Sequence, residues 1–117
     1  MALKINNSQK LWARAENSIF SLVQLYDEGS GDHIKGNYPR FIQRGKHAHI
    51  WDVDGNEYID YDMGLGPIIL GYCYDAVDKA VMEQLKLGMH FSLVSPGEIE
   101  YAEMITENIP CAEKVRF

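Results

Sequence analysis

Ile50-Trp51-Asp52-Val53-Asp54-Gly55-Asn56-Glu57-Tyr58-Ile59-Asp60-Tyr61 carries the clearest structural signal in the chain. Two runs rich in β-branched and aromatic residues, His49–Val53 and Glu57–Tyr61, flank Asp54-Gly55. That pair favours a hairpin of type I′, because glycine takes positive φ at little cost and aspartate tolerates it. Just upstream, Phe41-Ile42-Gln43-Arg44 is followed by Gly45-Lys46, so the expectation is a three-stranded antiparallel meander with turns at both glycines.

Toward the N-terminus, Leu11, Ala15, Ile19, Leu22 and Val23 recur at three- and four-residue steps, predicting a helix from Ser8 to about Tyr26. Asp27 to Asn37, ahead of Tyr38-Pro39, has the composition of a loop. Toward the C-terminus, the apolar run Ile68-Ile69-Leu70 lies between Gly66-Pro67 and Gly71, which predicts a buried passage between two structural units. Asp75 is placed to N-cap a helix to Leu87, with Val77, Ala80, Val81 and Leu85 as its buried stripe and Gly88 as terminator. Ser95-Pro96-Gly97-Glu98 is a capping box with proline at the first helical position, opening a helix lined by Ile99, Ala102, Ile105 and Ile109. Glu113-Lys114-Val115-Arg116-Phe117 has the pattern of an opening strand.

The 117 residues are 46% hydrophobic and 24% charged, an ordinary globular balance for a single domain's length of chain. Eleven basic against seventeen acidic side chains leave a net charge of −6, which repels phosphate backbones and anionic lipid. Neither nucleic acid nor a membrane is the expected partner. No signal-peptide pattern or long apolar span is present, and two widely spaced cysteines, Cys73 and Cys111, suggest small buried hydrophobes in a reducing cytoplasm.

Candidate chemistry is sparse. Asp52, Asp54 and Asn56 resemble part of a calcium loop, but a glycine directly after the second aspartate and Tyr61 in place of the closing glutamate leave hairpin chemistry as the better account. His47 and His49 would share one strand face, yet no third ligand is specified, so no metal site is expected. Gly64-Leu65-Gly66 lacks the third glycine of a dinucleotide fingerprint, and Pro67 has no amide to offer a phosphate. Ser95 is accounted for as a helix cap.

In their order along the chain, Phe41–Gly45, Ile50–Tyr61, Gly66–Gly71, Ser95–Pro110 and Glu113–Phe117 resemble the opening of a class III, pyridoxal-phosphate-dependent aminotransferase. The glutamate-1-semialdehyde aminomutase branch is the most similar. The resemblance covers about residues 8 to 117. It implies an α/β protein of fold type I and a cytoplasmic homodimer using pyridoxal 5′-phosphate (PLP). Such an enzyme moves an amino group between a small-molecule amine or amino acid and an oxo compound.

The family pattern further implies that residues 1–62 belong to a small domain and residues 63–117 lead into the cofactor-binding domain. The phosphate loop, the Schiff-base lysine and the acid facing the pyridinium nitrogen fall beyond Phe117 in that pattern. No catalytic, cofactor-binding or metal-binding residue is therefore expected among these 117, and Lys4, Lys10, Lys35, Lys46, Lys79, Lys86 and Lys114 all lie outside the family's catalytic context. Leu65 and Gly66 match a substrate-pocket motif, Leu65 standing where relatives carry tryptophan. Phe91 and Ser92 match positions near the partner subunit's site. Gly71-Tyr72 replaces a usual Gly-His turn, and no arginine occurs between Asp27 and Gly36, changes that imply a substrate other than glutamate 1-semialdehyde. Such a chain is expected to be inactive alone. The alternative is a truncated, non-catalytic interaction module derived from the same family.

Overall fold

The computed structural model describes residues 3–19, 39 and 41–117. Residues 1–78 and 79–117 form two compact units. The first unit is organised around a three-stranded antiparallel sheet in the order β1 (Ile42–Lys46), β2 (His49–Asp52), β3 (Glu57–Ile59). The meander is therefore as expected, but both of its turns are built differently.

Gly45 and Lys46 belong to β1, opposite Ile50 and His49, so the first turn is His47-Ala48. His47 takes the positive φ, +52°, that the turn requires. The glycine serves another purpose. A Cβ on Gly45 would lie 2.5 Å from Cγ of Tyr72, so only glycine lets that ring lie on the strand. The two histidines consequently do not share a strand face: His47 is in the turn, while His49 projects from β2 with Nδ1 2.9 Å from Oε1 of Glu57 on β3. Arg44 stacks over the Trp51 ring at 3.6 Å, a cross-strand cation-π pair on the same face as His49 and Glu57.

The second turn is the longer hairpin form. Gly55 N–H donates to the Asp52 carbonyl at 3.1 Å and Asp52 N–H to the Asn56 carbonyl at 3.1 Å. Gly55 alone takes positive φ, +80°, and Asp54 does not, so this is a β-turn followed by a left-handed glycine rather than type I′. Asp52 holds it from within. Its Oδ1 accepts the N–H groups of Asp54 (3.0 Å) and Asn56 (2.8 Å), and its Oδ2 accepts Asn56 Nδ2 (2.7 Å) and Tyr58 OH (2.9 Å). With 3% exposure it is the most buried polar residue described. Burial works to raise its pKa, but the bonds from Asn56, Tyr58 and Asp54 outweigh that, and the carboxyl lies below its ordinary value. The same environment pushes the Tyr58 hydroxyl up to about 12, through burial and the neighbouring Asp52.

The N-terminal helix, α1 (Asn6–Ala15), begins two residues before Ser8 and ends well short of Tyr26. The predicted residues Leu22 and Val23, and the loop from Asp27 to Asn37, lie outside the described residues. Its end has a local cause: Asn17 Nδ2 and Ser18 Oγ bond the Ala13 and Arg14 carbonyls, and Asn17 N–H bonds Arg14 three residues back, competing with continued α-helix. Its start is unusual. The N-cap residue is Ile5, whose side chain has no oxygen to offer the free amides. Asp54 from the β2–β3 turn substitutes, accepting Asn7 N–H at 2.6 Å, Ser8 N–H at 2.9 Å and Ser8 Oγ–H at 2.5 Å. Asn56 adds a reciprocal pair with the Lys4 backbone at 3.1 and 2.7 Å, and Asn7 Nδ2 bonds the Val53 carbonyl at 3.0 Å. The Asp-Val-Asp-Gly-Asn turn is thus a remote helix cap. Among the described residues no cluster of three metal-ligating side chains occurs there or elsewhere.

Helix α2 (Asp75–Leu87) has Asp75 as its first helical residue, one position inside the expected cap, where it and Asp78 complement the positive helix end. Gly88, at φ +105°, terminates it as expected by bonding the Gln84 carbonyl at 3.1 Å. Helix α3 (Pro96–Asn108) starts at the capping box, with Ser95 N–H donating to Glu98 Oε2 at 2.8 Å.

The expected burial fails on both helices. Val81 is 48% exposed, Val77 and Leu85 are likewise exposed, and neither helix has a buried residue. An amphipathic stripe stays exposed when no second apolar face is packed against it. Glu113–Phe117 has no ladder partner among the described residues and is not a strand there; Phe117 instead stacks on Tyr101 of α3 at 5.2 Å between ring centroids. Cys73 and Cys111, expected inside, are both exposed free thiols. Cys73 has φ +53°, and its thiol donates to the Gly45 carbonyl at 3.4 Å.

Candidate functional site

The segment that follows β3 is wound in an uncommon way. Met63, Gly64, Leu65 and Gly66 have φ of +52°, +62°, +63° and +112°, four consecutive residues on the left-handed side. For the two glycines this is inexpensive. For Met63 and Leu65 it is a conformation that persists only where surrounding bonds impose it.

Those bonds converge on Asp60. Its Oδ1 accepts the N–H groups of Asp62 at 2.9 Å and Met63 at 3.2 Å, and its Oδ2 accepts the Tyr72 hydroxyl at 2.6 Å. Within the loop, the N–H groups of Leu65, Gly66, Ile68 and Gly71 bond the carbonyls of Asp62, Met63, Met63 and Ile68. At its far end Tyr72 exchanges two backbone bonds with His47, at 2.9 and 2.8 Å. Gly71, at φ +86°, permits this approach, because a Cβ there would lie 2.9 Å from the His47 Cα.

The Tyr72 bond, opposed by some burial, holds the Asp60 carboxyl below its ordinary value; the same bond pushes the Tyr72 hydroxyl up to about 12. Between the loop and the first β-turn lies an open cavity of about 290 Å³, lined by His47, Ala48, Asp60, Met63, Ile68–Leu70, Gly71 and Tyr72. The expected buried passage is therefore its wall: Ile69 is 74% exposed and Leu70 is exposed as well. The run lines an open hollow and is not enclosed by side chains.

Leu65 stands on the crest of this loop, 56% exposed, with Gly66 beside it. Phe91 and Ser92 belong to the second unit, in the turn between α2 and α3; the Phe91 ring folds toward Gly88, where a Cβ would lie 3.1 Å from it. Sequence reasoning singled out Leu65 and Gly66 but missed Asp60 and Tyr72, which hold them. A local signal existed for half of that hub, since Asp60 precedes its two amide partners by two and three residues in the manner of an Asx turn. The Tyr72 half is a tertiary contact with no such signal.

The residues present do not form a cofactor cradle. The amides of Leu65, Gly66, Ile68 and Gly71 bond the loop's own carbonyls and Pro67 has none, so the glycine-rich loop offers no run of consecutive free amides at a helix start of the kind that holds a phosphate. Among the described lysines, Lys46 Nζ donates to the Cys73 carbonyl and Lys86 pairs with Glu83, and none lines the cavity.

A three-stranded meander leading into a glycine-rich loop and two helices is shared with solved transaminases. It is similar to the omega-transaminase from Sphaerobacter thermophilus, with a TM-score of 0.77 at 27% identity, covering 91% of this chain and 23% of that one. It is also similar to the Sphingopyxis sp. MTA144 FumI protein in its PLP internal aldimine form, with a TM-score of 0.78 at 29% identity, covering 91% and 25%. The aminotransferase class-III model matches residues 30–117, most of the chain, and the chain belongs to that family. In sequence it is 39% identical over 120 residues to the glutamate-1-semialdehyde 2,1-aminomutase of Anaeromyxobacter sp. (strain K), covering 98% of this chain. It spans about a quarter of the length of the curated relatives it matches, 26% in that case.

Proposed function

We propose that these residues are the N-terminal portion of a PLP-dependent class III aminotransferase or aminomutase that moves an amino group between an amine or amino acid and an oxo compound. The observation that carries this is the family match over residues 30–117 together with identity near 40% along almost the whole chain. In this reading Leu65 is an apolar wall of the substrate pocket with Gly66 beside it, and Phe91 and Ser92 lie near the partner subunit's site in a cytoplasmic homodimer. The boundary between a small domain and the cofactor domain falls at residues 62 and 63. When bound, PLP supplies the electron sink, and the lysine that carries it lies outside this sequence, so residues 1–117 alone are inactive.

A left-handed loop suits the pocket role. Strained backbone concentrates where a side chain must be presented in one orientation, and here it exposes a leucine that a packed core would otherwise have taken. The test uses the complete gene product. A visible cofactor band lost on borohydride reduction, with the label on a lysine beyond residue 117, and amino transfer from a panel of amines and amino acids to pyruvate or 2-oxoglutarate, would support the proposal. A colourless product that turns over no donor would overturn it in favour of the non-catalytic module. Turnover by residues 1–117 with added PLP would refute the division of labour.

A further inference from the structure

From this geometry we infer that Asp60 and Tyr72 are positioning residues for the substrate pocket: their hydrogen bond closes residues 61–71 into the left-handed loop that presents Leu65. The inference rests on the reading of Leu65 as a pocket wall and adds the pair that sets where that wall stands.

Three observations support it. Within residues 1–117 little packs against the loop, since Leu65, Ile69 and Leu70 are exposed there and a cavity of about 290 Å³ lies beneath. Its shape is one that Met63 and Leu65 do not adopt spontaneously. Asp60 alone supplies both restraints: one carboxylate oxygen bonds the Asp62 and Met63 amides where the winding begins, and the other bonds Tyr72 where the loop ends. The two ends of the loop are also fixed by backbone bonds, Tyr72 to His47 and Asp60 N–H to the Ala48 carbonyl, and the Tyr72 ring is seated on Gly45, so the Asp60–Tyr72 bond is the side-chain link that joins two anchored ends.

The bond and the ring can be separated. Tyr72→Phe keeps the ring on Gly45 and removes only the hydroxyl, so the fold survives while the closure is lost. A hydrogen bond of ordinary net strength changes an equilibrium by about fivefold, and one to a carboxylate by more. In the complete PLP-loaded gene product, the amides of residues 61–71 should therefore exchange with deuterium about five- to tenfold faster in Tyr72→Phe, with those of 42–59 unchanged. With the donor found by the panel above, KM should rise about fivefold at nearly constant kcat. Leu65→Ala should raise KM in the same way, and the double variant should be no worse than Leu65→Ala alone.

Unaltered exchange in Tyr72→Phe would overturn the inference, as would KM effects of the two substitutions that simply multiply. Faster loop exchange with no KM change in either variant would instead remove Leu65 from the pocket, a failure of the functional reading and not of the Asp60–Tyr72 closure.

Discussion

Residues 41–61 and residues 79–117 differ in how far their polar groups are satisfied by their own neighbours, although both leave apolar side chains exposed. The first region is a small sheet whose turns are saturated with polar contacts: Asp52 alone accepts four hydrogen bonds, and Asp54 accepts three from α1. The second is a pair of well-capped helix segments whose apolar side chains remain exposed, Leu93 to 83%. The contrast shows that local hydrogen bonding and apolar burial are separable sources of order. A hairpin can finish its own polar bonding within twenty residues, whereas an amphipathic helix is completed only by another surface.

The most severe break in that contrast is Asp52→Ala, which leaves two backbone amides, an Asn56 amide and the Tyr58 hydroxyl without an acceptor at a buried site. Stability of the complete gene product should fall by about 3 kcal/mol, read as a lowered denaturation midpoint with unchanged slope. A loss near zero would mean that the turn is held by its backbone alone. Next comes Gly71→Ala, where positive φ and a Cβ 2.9 Å from the His47 backbone both oppose the side chain. About 2 kcal/mol is expected on thermal unfolding, and a neutral result would show that the loop readjusts freely.

A smaller effect belongs to the remote cap. Asp54→Ala should speed amide exchange in residues 6–15 severalfold and leave the sheet untouched. The same release should follow from acid. Desolvation raises the Asp54 pKa, but the bonds from Ser8 and Asn7 and the charge of Lys10 outweigh it, so the folded value lies below the ordinary 3.8. The contribution is therefore fully present above 3.8 and fades as pH falls through the lower folded value. Exchange in α1 that is insensitive to acid down to complete unfolding would contradict the cap. Tyr72 gives the opposite sign: its hydroxyl is raised to about 12, so its contribution is intact below pH 10 and lost as pH rises toward 12. The smallest effect is expected for Leu93→Glu in the isolated 117-residue chain, under about 0.5 kcal/mol, because the side chain has little burial to lose. A much larger loss for the same change in the complete gene product would show directly that this surface is covered there.

How much of this was legible follows from the range of the interactions. The Gly88 terminator and the Ser95–Glu98 capping box are contacts between residues no more than four apart, and each is readable from spacing alone; the strand pairs of the meander lie up to ten residues apart and are legible through their composition and the intervening glycines. Turn details were less so: Gly45 looked like a turn glycine because its real reason, the ring of Tyr72, is 27 residues away. The burial expected on α2 and α3 is not found, since apolar spacing shows which side chains share a face and not what meets it.

The sequence by itself determined the meander, the helix signals, the glycine-rich loop and, through motifs in fixed order, the aminotransferase class-III family. Only the tertiary structure decided that Asp54 caps a helix 46 residues earlier, and that Asp60 and Tyr72 close the loop bearing Leu65. Side chains such as aspartate have many acceptable local partners. Which distant donor one finds depends on where the backbone brings it, and no pattern of neighbours along the chain encodes that meeting.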